Sequence, residues 1–233
     1  MAHKYWVVIP AAGVGKRMQA DRPKQYLPLC GKTVLEHTLA CFSHHPDISG
    51  IVVCLSETDP YWPELDLHSE VVIHRAAGGT ERCHSVLNGL ELVAQYAEAE
   101  DWVLVHDAAR PCLSREDLNN LIDAVASDEV GGILAVPVRD TMKRDNGAGY
   151  IDHTVERAGL WHALTPQMFR LGLLHQALQA ALADGFEVTD EASAVEHMGR
   201  QVRLIEGRSN NIKVTRPEDL SLAEVYLQQA GLQ

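Results

Sequence analysis

The chain has 233 residues, 46% of them hydrophobic, and a formal net charge of -12 from 20 lysines and arginines against 32 aspartates and glutamates. This length suits one α/β domain with a full core. The acidic balance argues against nucleic acid and anionic membranes as partners, because both require an extended basic face. We therefore expect a small charged metabolite as the ligand.

The sequence carries no sign of export or of membrane insertion. Its first residues lack the apolar stretch of a signal peptide, and no run approaches the roughly eighteen apolar residues of a membrane span. The five cysteines are odd in number and form no C-x-x-C pair, which favours reduced thiols over disulfides or a zinc site. We expect a cytoplasmic protein.

Residues 7–25, VVIPAAGVGKRMQADRPKQ, hold a basic glycine loop after an apolar strand. The predicted strand, residues 5–9, stops at Pro10, and Gly13 and Gly15 then allow a tight turn that leaves backbone N–H groups open to an anion. The loop also carries the cations Lys16, Arg17, Arg22 and Lys24. Neither the dinucleotide fingerprint nor the P-loop pattern fits. A tight turn with a solvated basic edge is the alternative, but concentrated cations in an acidic chain favour a phosphate-binding loop.

Strand and helix patterns alternate along the chain. Buried strands are predicted at residues 50–55, 71–74, 102–105, 132–136 and 202–205, with a last short strand at 211–214. Helices are predicted to follow Thr33, Gly79, Ser114 and Asp190, to span residues 171–183 and to begin at Pro217. This order predicts an α/β fold with a Rossmann-like, mainly parallel sheet covered by helices, in a single domain spanning residues 1–233. Ligand loops lie at the carboxyl ends of the strands in such folds.

Residues 138–161 interrupt this alternation with two short polar strands around Asp145, Asn146 and Gly147. The pattern predicts a protruding β-hairpin arm. Such an arm often mediates oligomerisation, and a solvated excursion is the alternative.

Asp107 ends a buried strand close to the predicted phosphate loop. A carboxylate there is suited to hold Mg²⁺, which favours one or two carboxylates together with phosphate oxygens. Its alternative role is in the turn before Pro111. Arg110 could hold an anion or pair with an acid. Arg157 and Lys213 are single cations, and such a cation alone is more often a surface charge than a ligand.

Several blocks, in order, resemble the 2-C-methyl-D-erythritol 4-phosphate cytidylyltransferase family of the non-mevalonate isoprenoid pathway. The resemblance runs almost end to end, and the blocks are PAAGVGKRM at 10–18, PKQ at 23–25, GG at 78–79 with Arg82 and SV at 85–86, HDAARP at 106–111, DT at 140–141, TPQ at 165–167, TDEAS at 189–193 and NIKVT at 211–215. Members join CTP and methylerythritol phosphate and release pyrophosphate.

The resemblance implies a role for individual residues. Ala11, Ala12, Gly13 and Gly15 would line the CTP site, with Gly79, Ser85 and Ala108 near the cytidine. Arg17 and Lys24 would stabilise charge at the phosphate under attack, and Asp107 would bind Mg²⁺. Thr141, Arg157 and Lys213 would hold methylerythritol phosphate, and we assign Arg110 to the same substrate site. The hairpin would be the arm of a homodimer, so that some acceptor contacts come from the partner subunit.

Thr80, His84 and Asn210 stand where relatives often carry acidic residues, and we expect altered affinity there rather than lost activity. Two other functions compete with this one. A cytidylyltransferase for another polyol phosphate, such as ribitol 5-phosphate, would share the glycine loop and Asp107. A non-catalytic nucleotide-binding regulator could use the same fold, although Arg17, Lys24 and Asp107 together argue against it.

Overall fold

The computed structural model describes residues 3–13, 18 and 21–231. At its centre is a seven-stranded sheet in the order β11, β7, β10, β6, β1, β4, β5. Its strands are β1 (Tyr5–Pro10), β4 (Ile48–Leu55), β5 (Ile73–Ala77), β6 (Trp102–Val105), β7 (Gly131–Pro137), β10 (Trp161–Arg170) and β11 (Arg203–Glu206). Only β10 is antiparallel to its neighbours, β6 and β7, while the other pairs are parallel. The predicted mainly parallel sheet is confirmed.

Helices cover both faces of this sheet. They are α1 (Val34–Ser43), α2 (Arg82–Val93), α3 (Arg115–Val125), α4 (Leu171–Ala183), α5 (Glu191–His197) and α6 (Pro217–Gln229). Side chains alternate along β1, so that Val7 and Ile9 pack with α1 and α3 on one face while Val8 packs with α2 and α4 on the other. A strand buried on both faces has no polar side, which explains the continuous apolar runs in the sequence.

Local signals in the sequence set the starts of several helices. Thr33 and Glu36 form the predicted capping box of α1, with Glu36 N donating to Thr33 Oγ1 at 3.2 Å and Thr33 N to Glu36 Oε2 at 2.6 Å. Ser114 Oγ accepts the Asp117 N–H at the start of α3. Asp190 caps α5 in the same way through the Ser193 N–H, and Pro217 is the first residue of α6.

The predicted hairpin is confirmed as β8 (Met142–Asp145) and β9 (Ile151–Val155), which pair antiparallel as a separate two-stranded sheet. Its side chains are almost all exposed. The prediction that this hairpin is polar is only partly right, because Tyr150 is 72% and Ile151 is 64% exposed.

The sequence predictions differ from the structure at three strands. The strand predicted at 71–74 begins later, as β5 at Ile73. The strand β10 was not predicted at all. The prediction of a short strand at 211–214 is wrong, since these residues form a loop. The Asn211 carbonyl accepts a hydrogen bond from Arg110 and the Val214 carbonyl accepts one from Lys24, instead of pairing with a neighbouring strand.

The remaining short elements support α6 and the loop after β1. The strands β2 (Pro28–Leu29) and β3 (Lys32–Thr33) form a two-residue ladder, and α6 packs on this part of the chain through Ala223 and Leu227. None of the helices described is long and apolar enough to cross a membrane.

Candidate active site

A cleft of about 220 Å³ opens at the carboxyl ends of β1 and β6. This is the edge at which ligands bind in open α/β sheets. Its lining combines small residues of the loop after β1, the segment before α2, the turn after β6 and two lysines: Pro10, Ala11, Ala12, Gly13, Lys24, Gln25, Gly79, Thr80, Glu81, Arg82, Ser85, Asp107, Ala108, Ala109 and Lys213.

The loop after β1 is held by a buried glutamine. Gln25 is 3% exposed, and its Nε2 donates to the Ala11 carbonyl at 2.7 Å. The Ala11 N–H donates to the Cys54 carbonyl of β4 at 2.8 Å. A Cβ on Gly13 would meet no atom of the described residues within 4 Å. Gly15 and Arg17 lie outside the described residues.

The segment between β5 and α2 forms the opposite wall. The Gly79 N–H donates to Ser85 Oγ at 2.9 Å, which closes the segment onto the first turn of α2. A Cβ at Gly79 would lie 2.3 Å from His84 Cβ. Glycine is therefore required here by close approach of the chain to itself.

Asp107 lies at the base of the cleft among three cations. Its Oδ2 is 2.9 Å from Lys213 Nζ and 3.3 Å from Arg110 Nε, and its Oδ1 is 3.1 Å from Arg82 Nε. Burial by itself would raise the pKa of Asp107, but the charges of Arg82, Lys213 and Arg110 outweigh burial and hold the pKa below its ordinary value. The carboxylate is thus ionised at neutral pH.

Arg82 connects this carboxylate to a second acid, Glu191, at the start of α5. Its two terminal nitrogens donate to Glu191 Oε1 and Oε2 at 2.6 and 3.0 Å. Glu191 is 0% exposed. Burial would lower the pKa of Arg82, but the charges of Glu191 and Asp107 outweigh burial and raise it. A bidentate pair of this kind fixes the plane of the guanidinium.

His106 supports the turn after β6, and its imidazole is uncharged at neutral pH. Its Nε2 donates to the Arg110 carbonyl at 3.1 Å, and its Nδ1 accepts from the Thr165 hydroxyl at 3.0 Å. Burial lowers the pKa of His106 to about 4. The Thr165 oxygen also accepts the Asp107 N–H at 3.1 Å. His106 therefore holds the backbone that presents Asp107.

Lys24 closes the cleft from the side of the loop after β1. Its Nζ donates to the Val214 carbonyl at 2.9 Å, one residue beyond Lys213. The two lysines that line the cleft are thus brought together by a contact across 190 residues of chain. Because cations outnumber the single ionised carboxylate here, the cleft is suited to bind an anionic ligand. A nucleotide triphosphate carries the negative charge that such a cleft would bind.

Known proteins that are similar to this chain identify its family. A sequence model of a protein family described as 2-C-methyl-D-erythritol 4-phosphate cytidylyltransferase matches residues 5–229. A protein of that name from Ectopseudomonas mendocina is 57% identical and covers 100% of this chain and 98% of its own length. One from Pseudomonas putida is 60% identical and covers 93% and 92%.

The chain belongs to this cytidylyltransferase family. Solved structures agree. A crystal structure of a 4-diphosphocytidyl-2C-methyl-D-erythritol synthase has a TM-score of 0.85 and 41% identity, and covers 97% of this chain and 100% of that one. The 2-C-methyl-D-erythritol 4-phosphate cytidylyltransferase of Francisella tularensis has a TM-score of 0.84 and 36% identity, with 96% and 100% covered.

Most of the residues that the family resemblance singles out meet in the one cleft. These are Ala11, Ala12, Gly13, Lys24, Gly79, Ser85, Asp107, Ala108 and Lys213. Arg110 lies behind them, 8% exposed, with Nη1 donating to the Asn211 carbonyl at 2.7 Å. Thr141 and Arg157 are elsewhere, exposed on the arm, where they line a separate cavity of about 290 Å³.

Sequence reasoning missed three residues of this cytidylyltransferase-family site. Gln25, Arg82 and Glu191 were each part of a block that carried the resemblance, but none received a role. The pairing of Arg82 with Glu191 spans 109 residues, and neither periodicity nor spacing could predict it.

The structure describes all three positions at which we expect altered affinity, Thr80, His84 and Asn210. The Thr80 hydroxyl lies 3.0 Å from His84 Nδ1. Asn210 has a buried Oδ1 without a hydrogen-bond partner among the described residues.

Proposed function

We propose that the protein transfers CMP from CTP to 2-C-methyl-D-erythritol 4-phosphate, forming 4-diphosphocytidyl-2-C-methyl-D-erythritol and pyrophosphate for isoprenoid precursor synthesis. One observation supports this above the others. Lys24, Lys213 and the ionised Asp107 share a small-residue cleft in a chain of the cytidylyltransferase family.

The reaction requires charge stabilisation rather than acid–base chemistry. A phosphate oxygen of the acceptor, already ionised, forms a bond to the α-phosphorus of CTP, and the bond to the β-phosphate oxygen breaks, so that pyrophosphate leaves with its electrons. No proton transfer is needed, which agrees with a neutral, buried His106. Cations must offset the charge that accumulates on the α-phosphate oxygens, and we assign this role to Lys24 and Arg17.

The nucleotide fits the small-residue walls of the cleft. We assign Ala11, Ala12, Gly13 and Gly15 to the triphosphate, and Gly79, Ser85 and Ala108 to the cytidine. Backbone N–H groups in a loop without bulky side chains can approach phosphate oxygens closely.

The reaction should depend on Mg²⁺, and the Asp107 carboxylate is suited to bind this ion. Mg²⁺ in nucleotide sites is commonly bound by one or two carboxylates and by phosphate oxygens, and Asp107 supplies one ionised carboxylate in the cleft. Bound there with the triphosphate, Mg²⁺ would neutralise phosphate charge. Lys213, which is only partly buried, is the partner of Asp107 best able to move toward the acceptor phosphate.

We propose that the acceptor site is completed in a homodimer. Within one protomer Thr141 and Arg157 line a cavity on the arm, while Lys213 lines the cleft and Arg110 lies beneath it. The exposed apolar side chains of Tyr150 and Ile151 make the arm suited to pack on a second copy. A partner's arm could then bring Thr141 and Arg157 to Lys213.

We also propose a cytoplasmic location. All five cysteines, Cys30, Cys41, Cys54, Cys83 and Cys112, are free thiols, which is typical of a reducing compartment.

Pyrophosphate release tests the proposal. Purified protein with CTP and Mg²⁺ should release pyrophosphate with methylerythritol 4-phosphate and not with ribitol 5-phosphate. Release only with ribitol 5-phosphate would preserve the cleft assignment and overturn the acceptor. CTP binding without release on either acceptor would indicate a regulator.

A further inference from the structure

Three side chains with different metal-binding atoms meet at the start of α2. Glu81, Cys83 and His84 each place one ligand atom within 4.8 Å of the other two. The Cys83 sulfur lies 3.8 Å from Glu81 Oε2. Among the described residues no other three Asp, Glu, His or Cys side chains converge as closely. The absence of a C-x-x-C pair argued against a zinc site built from paired cysteines. That argument does not cover this cluster, because only one of its three donors is a cysteine.

The Glu81 carboxylate is not used for the role that its position offers. Glu81 is the N-cap residue of α2, yet its side chain accepts no capping hydrogen bond. It faces the Cys83 thiol instead. A carboxylate that does not cap its helix and lies beside a thiol is available as a ligand.

One pair of ligand atoms already has the separation that a small bound cation requires. Ligands bound to tetrahedral zinc at about 2.0 to 2.3 Å lie roughly 3.3 to 3.8 Å from one another, and the sulfur and carboxylate oxygen are already at that separation. The His84 ring has an oxygen partner, since the Thr80 hydroxyl lies 3.0 Å from Nδ1, and metal-binding histidines usually have such a partner to fix the ring. Cys83 is buried, His84 half-buried and Glu81 exposed, so an ion can enter from solvent.

The chemistry of this set selects a class of metal. Sulfur and imidazole nitrogen favour Zn²⁺ and its neighbours, whereas Mg²⁺ favours oxygen ligands. Three protein ligands leave a fourth position for water, as in open zinc sites.

We propose that Glu81, Cys83 and His84 form a binding site for Zn²⁺ or a similar transition-metal ion, distinct from the magnesium role of Asp107, and that occupancy opposes CTP binding. The second part rests on the proposed function. Thr80 and Glu81 line the nucleotide cleft, and the Gly79 N–H is fixed by Ser85 one residue beyond His84. Drawing Glu81 and His84 onto an ion reshapes the wall that would contact the cytidine.

Cobalt binding tests the site without any activity. Metal-free protein in a non-thiol reductant is titrated with Co²⁺ in millimolar Mg²⁺, and absorbance is followed in the near ultraviolet, where thiolate-to-cobalt charge transfer appears. We expect a saturable band that Zn²⁺ removes and Mg²⁺ does not. Cys83→Ser should abolish it, and His84→Ala and Glu81→Gln should each weaken Co²⁺ binding at least 10-fold. Cys41→Ser, which alters a half-buried thiol elsewhere, should leave it unchanged.

Each result separates the alternatives. No band, or a band that persists in Cys83→Ser, overturns the site, and a band that requires Cys83 but neither Glu81 nor His84 overturns the three-ligand assignment. Zn²⁺ should also raise the Kd of CTP, measured by equilibrium binding in wild type and not in Cys83→Ser. Equal CTP affinity with and without Zn²⁺ overturns the coupling. Protein that binds cobalt but forms no pyrophosphate contradicts the proposed function alone.

Discussion

Both terminal nitrogens of Arg82 donate hydrogen bonds to Glu191, at 2.6 and 3.0 Å, while its Nε donates to Asp107 at 3.1 Å. A fully buried acid on α5 thereby sets the orientation of a guanidinium in the cleft. Gln167 holds the start of α5 in turn, with Nε2 donating to Asp190 at 2.8 Å and Oε1 accepting the Ala192 N–H at 2.9 Å. Glu191 therefore acts as a positioning residue for the Arg82–Asp107 pair.

Replacing Glu191 with glutamine tests this role. The amide keeps the shape but removes the charge that compensates Arg82, so Arg82 should draw the Asp107 carboxylate out of place. We expect the free energy of unfolding to fall by about 1–3 kcal/mol and kcat to fall by about 10-fold or more at a temperature where the variant is folded. Urea unfolding and steady-state kinetics measure the two effects. Glu196→Gln, on the exposed face of the same helix, is the control, and an unchanged kcat in Glu191→Gln would contradict the positioning role.

Lys24→Ala should lower kcat by about 10²-fold or more, equivalent to about 3 kcal/mol of transition-state stabilisation, with a smaller change in CTP binding. The reason is that an ionised nucleophile leaves charge neutralisation as the main task of the protein. Lys32→Ala, which removes an exposed lysine of β3, is the matched control. Near-native kcat in Lys24→Ala would remove Lys24 from the catalytic role.

Stability should depend on pH through His37. Its Nε2 donates to the Leu29 carbonyl at 2.8 Å, and burial lowers the pKa of His37 from its ordinary value of 6.5. Below pH 6.5 the unfolded chain then binds more protons at His37 than the folded chain. The contribution of His37 to the free energy of unfolding is therefore lost as the pH falls below 6.5. Well above pH 6.5 this contribution is constant.

His37→Gln should remove that part of the pH dependence. The difference in unfolding free energy between wild type and variant is measured from pH 8 to pH 5, and it should change by at most about 1.4 kcal/mol per pH unit. His162→Gln, at an exposed site, is measured in parallel as the control for the substitution itself. A flat difference for His37→Gln would show that folding leaves its pKa unchanged.

The arm should carry the dimer interface. Ile151→Lys places a charge on an apolar side chain that is 64% exposed in one protomer, so we expect the variant to be monomeric by light scattering where wild type is dimeric. Val72→Lys is the control, because Val72 is similarly apolar and 63% exposed but lies outside the arm. A monomeric wild type, or a dimeric Ile151→Lys, would contradict the arm assignment.

Patterns that depend on near neighbours in sequence predicted much of this fold. The apolar runs of β1, β4 and β6 and the caps at Thr33, Ser114 and Asp190 are local signals, and the structure confirms them. The antiparallel strand β10 was missed because Pro166 interrupts its sequence, at the place where its pairing with β7 breaks between Ala163 and Gln167.

The centre of the site depends on contacts between distant parts of the chain. Lys213 and Asp107 are 106 positions apart by number, and Lys24 meets the Val214 carbonyl across 190 residues. The loop around Asn211 resembled a strand by composition, but its carbonyls accept hydrogen bonds from cations of the site. Family resemblance predicted nine of the residues that line the cleft, and the sequence pattern alone could not.

In the proposed reaction, an acceptor phosphate oxygen attacks the α-phosphorus of CTP. Phosphorus NMR of a reaction containing protein, CTP, Mg²⁺ and methylerythritol 4-phosphate tests it most directly. We predict that the acceptor's monophosphate resonance is replaced by two mutually coupled resonances of a diphosphate diester, together with one equivalent of pyrophosphate. Release of CMP or inorganic phosphate with the acceptor signal unchanged would contradict the proposed reaction, because it would show hydrolysis without transfer.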